Sequence, residues 1–129
     1  MRREEPLREA CAEIGHNVTA VQGDVANLAD LDRLYEIVRT EKGVLDILFA
    51  NAGAVKHVRI DAITEEHYEQ IMGVNLKGVI FGVQKALPLM TRGGSIVVNT
   101  SIVGIAKSIP SLGVYSASKA GARGFIRAM

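Results

Sequence analysis

Apolar positions along this chain recur in two rhythms, one near 3.6 residues and one of short apolar runs. The first rhythm predicts helices. Residues 3 to 14 put Leu7, Ala10, Cys11 and Ile14 on one face, and Gly15 supplies the stop. Leu31, Leu34, Tyr35 and Val38 recur at i, i+3, i+4 and i+7, with Asn27 as N-cap and Lys42-Gly43 as the end. A long helix starts near Thr64, its cap, with Glu65 and Glu66 suiting its positive end. Tyr68, Ile71, Met72, Asn75, Leu76, Val79 and Val83 share one face of it, and Pro88 marks its last turn. A final helix holds Tyr115, Lys119 and Phe125. Apolar runs at 18 to 21, 45 to 50 and 95 to 99 predict strands. The second is largely apolar throughout, as a parallel strand buried on both faces should be. The order α-β-α-β-α-β-α predicts one α/β domain over residues 1–129 with a parallel sheet.

In such a sheet, ligands bind outside the carboxyl ends of the strands. Asp24, Asn51 and Ser101 follow the three predicted strands and line one sheet edge with hydrogen-bonding groups. Tyr115 and Lys119 stand four apart, so they share a helix face. A cation there favours phenolate over phenol, whose reference pKa is near ~10, and so suits a tyrosine to general acid–base work. Ser116, Ala117 and Ser118 are small and leave room for a ligand or a packed neighbour. Asn75 falls on the inward face of the long helix, where an unpartnered amide costs ~1–3 kcal/mol. A purely structural Asn75, bonded to backbone at a kink, is compatible with the same placement. Asp24 also suits a helix cap, and Gly53 a simple turn.

Composition narrows the partners. With 15 basic and 14 acidic residues the formal charge is +1, which favours neither nucleic acid nor an anionic membrane. No apolar run approaches the ~18 residues of a membrane span, and the charged N-terminus lacks a signal-peptide pattern. The single cysteine, Cys11, excludes an internal disulfide and reads as structural. A cytoplasmic location is the expectation. His16, His57 and His67 share no metal-ligand spacing and read as loop or surface residues, so no metal site is expected. Met72 and Met90 read as core packing.

The motifs together resemble one family. Val98-Asn99-Thr100-Ser101 followed by Tyr115-Ser116-Ala117-Ser118-Lys119-Ala120-Gly121 is similar to the active-site segment of short-chain dehydrogenases/reductases. Phe49-Ala50-Asn51-Ala52-Gly53 resembles their Asn-Ala-Gly motif, Gly23-Asp24-Val25 their adenine-contacting Asp-Val pair, and Val74-Asn75-Leu76-Lys77-Gly78 the segment with their active-site asparagine. The resemblance implies a doubly wound, parallel-sheet Rossmann fold that binds NADP or NAD. It implies an oxidoreductase acting on a small-molecule alcohol or carbonyl. Tyr115 would exchange a proton with the substrate oxygen. Lys119 would assist Tyr115 and bond the nicotinamide ribose. Ser101 would hold the substrate oxygen, and Asn75 would seat a water in a proton relay. Asp24, Val25, Asn51, Ala52 and Gly53 would contact the cofactor. Arg2-Arg3 resembles the basic pair that favours NADP through its 2′-phosphate. A homo-oligomer is implied as well.

The chain also departs from the pattern. Ser101 lies 14 positions before Tyr115, one more than the family's commoner spacing, which places an extra residue in the 104–113 loop. No glycine-rich phosphate turn precedes Asp24, and the helix of Tyr115 ends the chain. A partial Rossmann domain, incomplete at both ends, is therefore expected. The 18–21 strand would then lack its neighbours, and would re-pair with the 45–50 strand, stay loosely packed, or need a partner chain. Two other functions fit the motifs: a non-catalytic remnant pairing with an intact relative, and an epimerase or dehydratase of the extended branch.

Overall fold

The computed structural model describes residues 4–129. The Arg2-Arg3 pair lies outside the described residues. Helix α1 runs Glu4–Ile14, and Gly15, at φ 85, ends it as expected. Helix α2 runs Leu28–Glu41, with the Asn27 side chain accepting the Ala29 N–H. Strands β1 (Ile47–Ala50) and β2 (Ser95–Val98) pair in parallel, with Phe49 opposite Val97. Helix α5 spans Gly113–Arg127.

The long crossover between the strands is a composite. Thr64 Oγ1 accepts the His67 N–H and opens α3 (Glu65–Met72). A π turn (Gly73–Lys77) follows, then α4 (Gly78–Ala86) and a 3₁₀ turn (Leu87–Leu89) around Pro88. The face that turns inward carries His67, Ile71, Val74, Asn75, Val79 and Val83. Tyr68, expected on that face, is 46% exposed instead. Its neighbour His67, expected at the surface, is buried, because it sits one helical turn before Ile71. His16 and His57 are exposed as expected.

The core lies between the helices and one side of the sheet. Tyr35 of α2, Ala86 of α4 and Leu89 form its centre, with Val38, Leu45 and Leu48 packed around them. The Tyr35 hydroxyl donates to the Gly82 carbonyl at 2.7 Å, and α2 and α4 close over the inner face of β1. The opposite face of the sheet is open: Ile47, Phe49 and Val97 are exposed. The apolar run at 45–50 is thus covered on one side only, which corrects the expectation of a strand buried on both faces.

Residues 18 to 21 form no strand. No neighbouring strand offers them a ladder among the described residues, and β1 takes β2 as its partner. Of the three outcomes open to this segment, re-pairing with the 45–50 strand does not occur. Thr19 Oγ1 instead donates to Glu41 at the end of α2.

Candidate active site

The carboxyl ends of β1 and β2 are stitched together by side chains. Asn99, just past β2, donates its backbone N–H to Ala50 O at 3.0 Å and its Nδ2 to Asn51 Oδ1 at 2.8 Å. Its carbonyl accepts from Lys119 Nζ at 2.8 Å. Lys119 is 5% exposed, so its ammonium is held at the sheet edge rather than in solvent. Burying a cation is costly unless it is paired and hydrogen-bonded, and the Asn99 carbonyl takes one of the three ammonium donors. Tyr115 stands one turn earlier on the same face of α5 and is half-buried.

Asn75 comes from the π turn. Such turns, inserted within a helix, recur at functional positions because they redirect a side chain without breaking the helix. Here the Gly78 N–H reaches back to Gly73 O. Asn75 is fully buried and every arm of its amide is bonded. Oδ1 accepts the Ala54 N–H at 2.8 Å, while Nδ2 donates to Ala54 O at 2.9 Å and to Ser118 Oγ at 3.0 Å. The side chain thus clamps the loop after β1 to α5. The two features of a purely structural Asn75, a helix distortion and bonding to backbone, are both present.

Gly53 sits between these groups. A Cβ built there would lie 3.6 Å from Lys119 Nζ and 3.7 Å from Asn75 Oδ1. The glycine leaves an open face beside an ammonium and an amide oxygen, a cradle that a side chain would partly fill.

Ser101 follows β2 by three residues, and its Oγ accepts the Val103 N–H at 3.1 Å in a local turn. The loop beyond it folds back on α5. Gly104, at φ 85, packs so tightly on Ser116 that a Cβ would lie 2.5 Å from the Ser116 carbonyl oxygen. Ser111 takes φ 66, and its carbonyl accepts the Val58 N–H at 2.8 Å.

The Asp24-Val25 turn lies at a second concavity. Val25, Ala50, Asn51, Ala52, Val74 and Gly78 are among the residues lining a mostly apolar cleft between α2, α4 and the end of β1. Gly78 makes room for Val25, since a Cβ there would approach Val25 Cγ2 to 2.8 Å. Asp24 does not cap α2, which is Asn27's role; its Oδ1 accepts the Ala26 N–H in the preceding turn. Asn51 links the two regions, lining the cleft while bonded to Asn99.

Several contributors escaped the sequence reading. Ser118 counted only as a small residue, yet it is fully buried and bonds both Asn75 and the Tyr115 carbonyl. Asn99 sat inside a motif without a role. Asp30 accepts the Asp24 N–H at 2.8 Å, and Arg33 bonds Asp30 and the Gln22 carbonyl. The Asp24 N–H, and then Arg33, hold the Asp30 carboxyl below its usual range. An Asp-Arg pair at i, i+3 signals an ion pair; its grip on a loop six residues away appears only in three dimensions. No cluster of three potential metal ligands occurs among the described residues. No helix there is long and apolar enough to cross a membrane.

Known proteins resemble this chain in sequence and in fold. The oxidoreductase asL5 of Sarocladium schorii is 51% identical over 128 residues, covering 98% of this chain and 51% of that protein. The hydroxynaphthalene reductase-like protein Arp2 of Metarhizium guizhouense is 31% identical over 127 residues, covering 96% of this chain and 48% of its own. The chain therefore spans about half the length of the curated relatives it matches. An alcohol dehydrogenase from Thermococcus sibiricus, solved with 5-hydroxy-NADP, superimposes with a TM-score of 0.84 at 30% identity, over 96% of this chain and 53% of that one. The family model for short chain dehydrogenase matches residues 1–129. With its parallel sheet, its crossover helix and its tyrosine–lysine helix, the chain belongs to the short-chain dehydrogenase family, as a partial Rossmann fold.

Proposed function

We propose that this chain carries the catalytic residues of an NAD(P)-dependent oxidoreductase acting on an alcohol or carbonyl. The observation that carries the reading is the buried Lys119 ammonium, fixed on Asn99 O at the sheet edge and on the same helix face as Tyr115. A nicotinamide cofactor, when bound, supplies or accepts the hydride at the substrate carbon. The open face at Gly53 fits such a group, since a Cβ there would take up space beside both Lys119 Nζ and Asn75 Oδ1. Asn51, Ala52, Gly53 and Lys119 would hold its nicotinamide half, and Asp24 and Val25 its adenine half.

In the reducing direction, the Tyr115 hydroxyl donates its proton to the substrate oxygen as the carbon gains hydride. In the oxidising direction, Tyr115 takes that proton back. Lys119 stabilises the phenolate left behind, and the cost of separating charge at this buried edge is lowered by a cation already in place. Ser101 donates its Oγ–H to the substrate oxygen while accepting from Val103. Asn75 maintains the relay by fixing the loop of Ala54 against α5, with a water completing the path to Lys119.

NADP is the proposed cofactor over NAD. The support is Arg2-Arg3 in the sequence, whose planar guanidinium forks suit a 2′-phosphate. The name of the Arp2 relative, hydroxynaphthalene reductase-like, supports a fused-ring compound as the substrate class.

The test is a thermal melt of the purified chain with and without excess NADPH, then turnover of a fused-ring ketone. A ligand that binds only the folded state raises the midpoint. Tyr115→Phe is expected to keep the NADPH shift and abolish turnover. A melt unmoved by NADPH would sink the reading.

A further inference from the structure

We propose that Ser118 is a positioning residue, which sets the catalytic tyrosine and lysine against the asparagine of the π turn. The inference rests on the oxidoreductase reading above and goes beyond it by adding a residue to the site. Ser118 is fully buried, lies between Tyr115 and Lys119 in sequence, and bonds on both sides. Its Oγ–H donates to the Tyr115 carbonyl at 2.7 Å, one turn back on its own helix. The same oxygen accepts the Asn75 Nδ2–H at 3.0 Å, from a residue 43 positions away.

Three separate chain segments meet through that oxygen. Asn75 bonds the Ala54 N–H and C=O, which follow directly on the Gly53 cradle. Ser118 then bonds Asn75, and its backbone lies in the helix that presents Tyr115 and Lys119. The loop beside the cofactor site, the π turn and α5 are therefore held in one register by a continuous hydrogen-bonded chain. Removing the hydroxyl leaves one Asn75 N–H unpaired in a site with no solvent access, because Asn75 is also fully buried. The amide then rotates or the two helices separate slightly. A shift of about 1 Å in such a constellation costs on the order of 100-fold in rate.

Alanine and threonine at this position separate positioning from packing. Ser118→Ala is expected to lower kcat about 10- to 100-fold while leaving KM for NADPH within about twofold, with the basic limb of the pH–rate profile displaced. Ser118→Thr keeps a hydroxyl able to reach the same i−3 carbonyl, and is expected to restore kcat to within about threefold of the original. Should the added methyl unfold the threonine variant, NMR of the Asn75 side-chain amide decides. In Ser118→Ala that N–H pair should exchange with solvent at least about tenfold faster, while the backbone amides of α4 stay protected. Unchanged Asn75 exchange overturns the proposal. So does unchanged kcat in Ser118→Ala, or a kcat loss shared equally by a threonine variant that folds. The exchange measurement needs no turnover. A chain inactive even with Tyr115 intact would therefore count against the oxidoreductase reading and leave the Asn75 result to decide the positioning claim.

Discussion

The Tyr35 hydroxyl donates to the Gly82 carbonyl at 2.7 Å across 47 positions of sequence, and this bond joins α2 to α4 at the centre of the core. Burial pushes the Tyr35 phenol up to about 12 from an ordinary value near 10. Above pH 10 the unfolded tyrosine ionises first, so the unfolded state holds fewer protons than the native one. The stabilisation is complete below pH 10 and is lost as pH rises through about 12. Tyr35→Phe should cost about 1 kcal/mol at neutral pH, the net value of one hydrogen bond. It should also flatten the fall in stability between pH 10 and 12, read as denaturation midpoints of the two proteins in parallel.

Asn75→Leu should be more damaging than its volume suggests. The change removes bonds to Ala54 N, Ala54 O and Ser118 Oγ together. Leaving buried partners unpaired costs ~1–3 kcal/mol each where water does not reach them. Ala54 is only half-buried, so water offsets part of this sum; a loss of roughly 2–4 kcal/mol in urea denaturation is expected, together with loss of turnover. A variant as stable as the original would mean that water replaces all three bonds.

Two glycines should respond in opposite directions to alanine. Gly104 combines φ 85 with backbone contact to Ser116, so Gly104→Ala should destabilise by more than about 1–3 kcal/mol of backbone strain. Gly124 lies within α5 with open space around it, so Gly124→Ala should stabilise by roughly 0.5–1 kcal/mol through helix propensity. Paired thermal melts test both at once.

The uncovered face of the sheet should drive self-association. Phe49 and Val97 stand side by side in register, both largely exposed, with Ile47 two residues along. Contiguous exposed apolar area of this kind promotes association. Sedimentation velocity should show mean size rising with concentration, and Phe49→Lys should reduce the rise. A single monomeric boundary at high concentration for the unaltered chain would contradict this.

The periodic pattern alone determined which segments are helical, because amphipathic spacing and caps such as Asn27 and Thr64 act within one turn. The motifs likewise singled out Asn51, Asn75, Ser101, Tyr115 and Lys119 as candidates, since those residue types at those spacings are legible in one dimension. Tertiary structure decided the rest. Residues 18 to 21 carry strand-like side chains, but a strand exists only where a neighbour completes its ladder, and β1 and β2 pair with each other. His67 and Tyr68 are adjacent and similar in size; which of them is buried depends on the angle at which α3 meets α5, and the 3.6-residue period does not contain that angle. Ser118 looked merely small because its importance lies in Asn75, which is remote in sequence and close only after folding. Local rules act over a few residues, whereas burial and hydrogen-bond satisfaction are properties of the assembled whole.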